Sequence, residues 1–487
     1  MSRIIIQNGN MCELDLPLKF AQKLYAEFAI RHPNAFYLRT RQRGMQNWDG
    51  KIHYINKHGE FKIGLLPAVY EKCIEYGIKP KVVDMRQPLP KVNGVVTKIG
   101  EYKLRPEQEK AVKAVINNKV GKVPFQIGVL DYTVNAGKTL IMSSLYLSYK
   151  KELKTLLITN DSDWLNQARD EFKKYLPGEQ ITFVQGKVLN WSNFTIGMVQ
   201  SISRNMRFYQ NELSKVDMVL VDEADQAGSK QYQNVLTRLF NTRVRIGLSG
   251  TIYMSKLAKD KVKNMNLEVF FGKVLAEFKL KDSIKKGYST RTIVKMVPSK
   301  PWYGNWESEE VSYKEVYDDS ITFNKYAKRM VYSRLKWNLK QDRYPALVVC
   351  KFIAHCENLC KYFKKKLGSK YNIACVHVDT PSKIRQQIMK DFREGKIDIL
   401  VSTTIIARGK NFPKLRYLLN AASMLSNEKT IQFLGRLVRT DSSKKKAYVD
   451  DLMYPGNYLS RHARARKRYY QVEKLKVILV KRPKHKL

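Results

Sequence analysis

The stretch Gln126-Ile127-Gly128-Val129-Leu130-Asp131-Tyr132-Thr133-Val134-Asn135-Ala136-Gly137-Lys138-Thr139-Leu140 decides the fold. It begins as an apolar run of strand length and ends by opening a helix. Between them Asn135, Ala136 and Gly137 form a loop whose small residues let backbone N–H groups turn toward an anion at the helix N-terminus. This is a phosphate cradle: Lys138 is set to reach the β- and γ-oxygens of a nucleoside triphosphate, and the Thr139 hydroxyl to ligate Mg2+. Tyr132 is the departure, standing where the general pattern of such loops has its first glycine.

The second half of the site lies downstream, where the apolar run 216–221 ends in Asp222-Glu223-Ala224-Asp225. Carboxylates at the carboxyl end of a strand face the crevice where nucleotides bind in doubly wound sheets. Asp222 is expected to hold Mg2+, and Glu223 to orient and deprotonate the attacking water. Cradle and acidic turn in this order make ATP and Mg2+ the expected cofactors.

Around these motifs short apolar runs at 126–130, 155–159, 194–199, 216–221 and 244–248 alternate with helical segments, which predicts a doubly wound parallel sheet. A second round follows Lys279, with strands at 346–350, 373–378, 397–402 and 416–420. The Pro/Val/Gly stretch 88–94 reads as a linker. Four segments result: an N-terminal nucleic-acid-binding domain at 1–95, a first ATP-binding lobe at 96–278, a second lobe at 279–460, and a basic tail at 461–487.

The chain carries 89 Lys and Arg against 44 Asp and Glu, a formal charge of +45, spread along its length. A polyanion is the expected partner. Nucleic acid fits better than a membrane, since no run of about 18 apolar residues appears and the start lacks the order of a signal peptide. A soluble, cytoplasmic protein is expected. Cys350, Cys356 and Cys360 with His355 invite a metal reading, but their spacing is not that of ordinary zinc sites, and packed, reduced thiols are expected.

Over 102–440 the motifs, in their order, resemble those of the superfamily 2 helicases, which implies two RecA-like lobes. The fold class is then α/β, two tandem RecA-like parallel-sheet lobes preceded by a small α+β domain. By this resemblance Tyr102 to Gln108 match the adenine-reading stretch, with Arg105 and Gln108 as ATP contacts. Gln167, Gln200 and Ser201 fall where the family touches the nucleic-acid strand, and Ser249, Gly250 and Thr251 resemble the segment that couples hydrolysis to strand movement. Thr403 and Thr404 with Gly409 match the motif that contacts both strand and nucleotide; Asn411 stands where an Asp is frequent. In 432–439, Gln432 is expected to sense nucleotide, and Arg436 and Arg439, three apart and so on one helical face, to clamp the γ-phosphate. The family mechanism closes the two lobes on ATP and opens them after hydrolysis, moving them along a strand.

Asp222 to Asp225 spell the letters of the DEAD-box RNA helicases, yet Ser249-Gly250-Thr251 and Gln432 depart from that group's third and sixth motifs. Near the N-terminus, Asn47-Trp48-Asp49-Gly50-Lys51-Ile52 followed by Gly64-Leu65-Leu66-Pro67 resembles the leading domain of the bacteriophage UvsW-type DNA helicases. There Arg39, Arg41, Arg43, Lys51 and His53 are expected to put cations on phosphates, and Trp48 either offers a face to a base or packs as a core aromatic beside a turn. The resemblance implies an ATP-dependent DNA helicase, working as a monomer, that unwinds or remodels forks, junctions and R-loops in replication, recombination and repair. Its partners are then single-stranded, forked or branched DNA and RNA–DNA hybrids, in the cytoplasm of an infected host. The alternatives are an RNA helicase, a duplex translocase that does not unwind, and a binding or annealing protein without ATP turnover. The run 461–468 reads either as a duplex clamp or as a solvated charge run.

Overall fold

The computed structural model describes residues 2–480 apart from 42–43, 161, 251, 253–257, 300–310, 408–411, 425–426 and 443. It divides into two compact units, Met1–Phe278 and Lys279–Leu487. Thr251, Arg43, Gly409 and Asn411 lie outside the described residues.

The first unit opens with a mixed four-stranded sheet, β1 (Arg3–Ile6), β2 (Met11–Asp15), β3 (Glu60–Lys62) and β4 (Lys81–Asp84), in the order β3-β2-β1-β4. Its main sheet has β5 (Ile127–Tyr132), β6 (Thr155–Thr159), β7 (Ile181–Val184), β8 (Phe194–Met198), β9 (Met218–Asp222), β10 (Val244–Ser249) and β11 (Val274–Phe278). They pair in the order β7-β8-β6-β9-β10-β5-β11, all parallel. Strands such as β5, β6 and β9 are buried at every position, as continuous apolar runs covered on both faces require. β7 and β11 were not legible as strands: both lie at sheet edges, and each has polar or half-buried positions that break the apolar run.

Residues 1–95 do not stand apart from the first lobe. Ile4, Ile6, Leu66 and Val69 share one core cluster with Phe125, Ile127, Val129 and Phe271. Gly64 makes the closest approach: a Cβ there would sit 2.2 Å from the Glu268 carbonyl oxygen. Arg245, fully buried on β10, donates to the Gly9 carbonyl (2.8 Å) and to Asn10 Oδ1 (2.7 Å). Burial pushes its pKa down to about 9, so the charge is held by neutral acceptors at the seam.

The second unit has its own all-parallel sheet: β12 (Arg291–Pro298), β13 (Ala346–Val349), β14 (Ile373–Val376), β15 (Ile399–Ser402), β16 (Tyr417–Asn420), β17 (Lys446–Met453) and β18 (Lys476–Leu479). Their order is β14-β15-β13-β16-β17-β12-β18. The two sheets make the fold two tandem RecA-like lobes with a small N-terminal α/β region. The four strands expected in this lobe are present with ends shifted by a residue or two. β12, β17 and β18 carry charged residues within their runs, which hid them.

The C-terminal segment read as a tail is part of this unit. β18 pairs in parallel with β12, and the helix Asn457–Val472 packs on the sheet. Along the helix that carries the basic run, His462, Arg466 and Tyr470 recur every fourth residue and turn inward. Arg466 makes a two-pronged contact with Asp451, Nε to Oδ2 at 2.9 Å and Nη2 to Oδ1 at 2.8 Å, both residues fully buried. Only Arg461, Arg464 and Arg468 form an outward basic stripe. Cys350, Cys356 and Cys360 are buried free thiols, and His355 Nδ1 sits 2.9 Å from the Tyr317 hydroxyl.

Candidate nucleotide site and nucleic-acid contacts

The loop after β5 leads into α1 (Lys138–Ser148). Gly137, at φ 73°, takes the left-handed conformation that starts this helix, and a Cβ there would lie 2.2 Å from Gln108 Nε2. Asn135 also has positive φ, at 65°. Gln108 is buried against the loop: Nε2 donates to the Ala136 carbonyl (2.8 Å) while Oε1 accepts from the Arg105 backbone N–H (2.8 Å). Arg105 Nη1 lies 3.4 Å from the Asn135 carbonyl. Both residues assigned to adenine reading thus brace the phosphate loop. Tyr132, the departure from the loop pattern, is the last residue of β5, fully buried, with its hydroxyl donating to the Glu107 carbonyl (2.7 Å). It is a core residue, so the tight turn begins after it.

Across the sheet, β9 delivers the acidic turn beside this loop. Lys138 Nζ is 3.0 Å from Asp222 Oδ1 and 3.8 Å from Glu223 Oε1. Burial favours the neutral amine, but the charges of Asp222 and Glu223 outweigh it and raise the Lys138 pKa, so the ammonium persists at neutral pH. Glu223 adopts φ 52°, a left-handed conformation rare for a residue with a side chain and of the kind concentrated at functional sites. The Ser249 hydroxyl donates to Asp225 Oδ1 (2.7 Å, buried), tying the end of β10 to the acidic turn, and Gly250 packs on the backbone of Thr133.

Thr139 gives its hydroxyl proton to Glu171 Oε2 (2.9 Å), and Gln167 Nε2 donates to the other oxygen of the same carboxylate (2.5 Å). Glu171 lies on α2 (Ser162–Tyr175) and was missed by the sequence reading. Its signal was the spacing of four from Gln167, which puts the two on one helical face. Because the Thr139 proton is spent on Glu171, the hydroxyl lone pairs are left for a cation. Thr139 and Asp222 supply hard oxygen donors, the type Mg2+ selects.

Of the expected strand contacts of this lobe, Gln200 and Ser201 follow the carboxyl end of β8, whereas Gln167 is turned to Glu171 beside Thr139. Gln200 Nε2 donates to the Asn160 carbonyl (3.2 Å), and the Ser201 hydroxyl accepts from the Gly186 N–H (3.1 Å). In the N-terminal region, Trp48 is half-buried, its indole N–H donating to the Lys51 carbonyl (2.9 Å), while Arg41 and Lys51 are exposed.

In the second unit Thr403 is buried, its N–H donating to the Val376 carbonyl (3.2 Å), and Thr404 opens a 3-10 turn. Gln432 and Arg436 lie on the helix Asn427–Leu437. Arg439 falls beyond its end, so the two arginines are not on one helical face. Lys444 explains the stop: its buried ammonium donates to the carbonyls of Leu437 (2.8 Å), Pro413 (2.8 Å) and Leu415 (3.1 Å). Burial pulls its pKa down to about 8. The backbone of Arg439 is pinned by the Thr290 hydroxyl, 3.0 Å from its carbonyl.

Two family models match the chain: "Type III restriction enzyme, res subunit" over residues 101–254 and "Helicase conserved C-terminal domain" over 327–441. Among solved structures, the fragment of a putative HsdR subunit of a type I restriction enzyme from Vibrio vulnificus YJ016 superposes with a TM-score of 0.55 at 16% identity, covering 73% of this chain and 65% of that one. S. cerevisiae Dbp5 bound to RNA and ADP BeF3 gives 0.52 at 15% identity, covering 78% and 90%. At these identities both speak for the fold. The lobes, the site and the two models define an ATP-hydrolysing superfamily 2 helicase. Within that class the chain is related to the ATP-dependent DNA helicase uvsW of Enterobacteria phage T4, 22% identical over 454 residues that cover 88% of this chain and 86% of that protein.

Proposed function

We propose that this helicase acts on DNA, using ATP to unwind or remodel branched substrates such as forks, junctions and R-loops in replication, recombination and repair. The observation that carries the reading is the extent of the likeness to the phage DNA helicase. The aligned part is longer than the chain from residue 101 onward, so it takes in part of the N-terminal region as well as the lobes. The charge of +45 suits a long polyanion.

In this reading Lys138 binds the β- and γ-phosphates, moving from its ion pair with Asp222. Thr139 and Asp222 hold Mg2+, which when bound supplies positive charge to the phosphate oxygens. Glu223 orients the water and takes its proton, while Arg436 and Arg439 receive the charge that spreads over the γ-phosphate. Gln167, Gln200, Ser201, Thr403 and Thr404 contact the strand, and Ser249, Gly250 and Thr251 couple the state of the acidic turn to strand movement.

The test is strand displacement by the full chain on matched forked DNA, forked RNA and R-loop substrates with ATP and Mg2+. ATP-dependent opening of the DNA fork and R-loop is expected. Opening of the RNA fork alone would overturn the reading in favour of an RNA helicase.

A further inference from the structure

The exposed aromatic pair Phe36 and Tyr37 sits where the N-terminal region concentrates positive charge. They belong to the short helix Ala35–Arg41, which lies between two antiparallel strands, Ala29–Arg31 and Lys51–His53. Phe36 is 80% exposed and Tyr37 55%. The Arg41 guanidinium lies over the Tyr37 ring, 5.0 Å from its centroid. Beside Phe36 a cleft of about 470 Å³ is lined by Arg31, Arg39, Thr40, Asp49 and Lys51. Asp49 is the acidic residue in that lining, and it is engaged by His53 Nε2 (2.7 Å) and by the Lys51 N–H (2.9 Å). The cleft therefore presents three cationic side chains, Arg31, Arg39 and Lys51, against the single carboxylate of Asp49, a net positive lining.

Trp48, the aromatic that the sequence singles out, is not the free face here. Its N–H is committed to Lys51, and its ring stands edge-on to His32 with centroids 5.7 Å apart. A bare ring beside guanidinium and ammonium groups is the combination that grips unpaired nucleotides, the bases stacking while cations track the phosphates. Neither a blunt duplex, whose bases are already stacked, nor an apolar peptide meets both halves of this surface.

We propose that Phe36, with Tyr37 beside it, is the stacking platform for an unpaired base at a DNA branch point, with Arg31, Arg39 and Lys51 on the adjoining phosphates. The inference rests on the DNA reading above and assigns its branch-recognition surface to the helix Ala35–Arg41. Being exposed, Phe36 can be changed without opening the core.

The test compares full-length wild type, Phe36→Ala and Phe36→Trp in ATP-free binding to forked DNA with a single-stranded arm and to blunt duplex. A fluorescent adenine analogue placed at the junction reports stacking. Phe36→Ala is expected to weaken fork binding about tenfold and to lose the analogue's quenching, with duplex binding unchanged and Phe36→Trp restoring both signals. Fork affinity and quenching equal to wild type in Phe36→Ala would overturn the inference and leave the surface to a protein partner. Wild-type strand displacement, run alongside, keeps the two failures apart. A wild type that opens DNA while Phe36→Ala binds the fork normally sinks the platform alone, whereas a wild type inert on DNA sinks the functional reading.

Discussion

At the scale of single residues, the ATP site depends on groups that hold other groups. Thr139 is free to ligate a cation because Glu171 takes its proton, and Gln167 fixes the carboxylate that does so. Partners behind a metal ligand commonly account for 10- to 100-fold in affinity. Glu171→Ala is therefore expected to raise the Mg2+ concentration needed for half-maximal ATP hydrolysis by about 10-fold or more, with kcat at saturating Mg2+ changing less. A Mg2+ titration of turnover checks this, and an unchanged midpoint would remove Glu171 from the site. That Lys138, Asp222 and Glu223 lie together was legible from residue type and order, since a phosphate loop and an acidic strand end in one doubly wound sheet face the same crevice. Glu171 and Lys444 were not, because they act wholly or partly on groups far away in sequence: Thr139 lies 32 residues from Glu171, and Pro413 lies 31 from Lys444.

At the scale of elements, the parallel sheets were readable wherever a strand is buried on both faces, as in β5, β6, β9 and β13. Strands with charged or half-buried positions, such as β12, β17 and β18, escaped because sheet pairing rather than their own pattern determines them. The inward face of the run 461–468 was hidden for a related reason. The burial of Arg466 is set by Asp451 on β17, a partner that local charge counting does not see. The seam between the N-terminal sheet and the first lobe is also non-local, and Gly64 is its tightest point. Gly64→Ala is expected to destabilise the first unit by about 2 kcal/mol or more, because the added methyl meets the Glu268 carbonyl rather than a side chain able to turn away. Urea unfolding measures it; a midpoint equal to wild type would mean that the seam yields at no cost.

At the scale of the whole molecule, two buried histidines set the acid limit of the second unit. Burial holds His355 down to about 3 and His462 to about 4, so both stay neutral in the folded chain while the unfolded chain takes up protons below about 6.5. The unfolded state then binds more protons, and stability falls as pH drops from about 6.5 toward the folded values. Near pH 5 each histidine contributes a loss on the order of 2 kcal/mol, and His355→Gln should remove about half of the combined effect. Unfolding midpoints at neutral and acid pH in both proteins check the sign and the share. The central claim, that the paired loop and acidic turn drive work on DNA, is tested most directly by ATP turnover of wild type and Glu223→Gln with and without forked DNA. Turnover stimulated by the fork in wild type and lowered about 100-fold or more in the variant is the expected result. Wild-type turnover indifferent to the fork, or a variant as active as wild type, would contradict it.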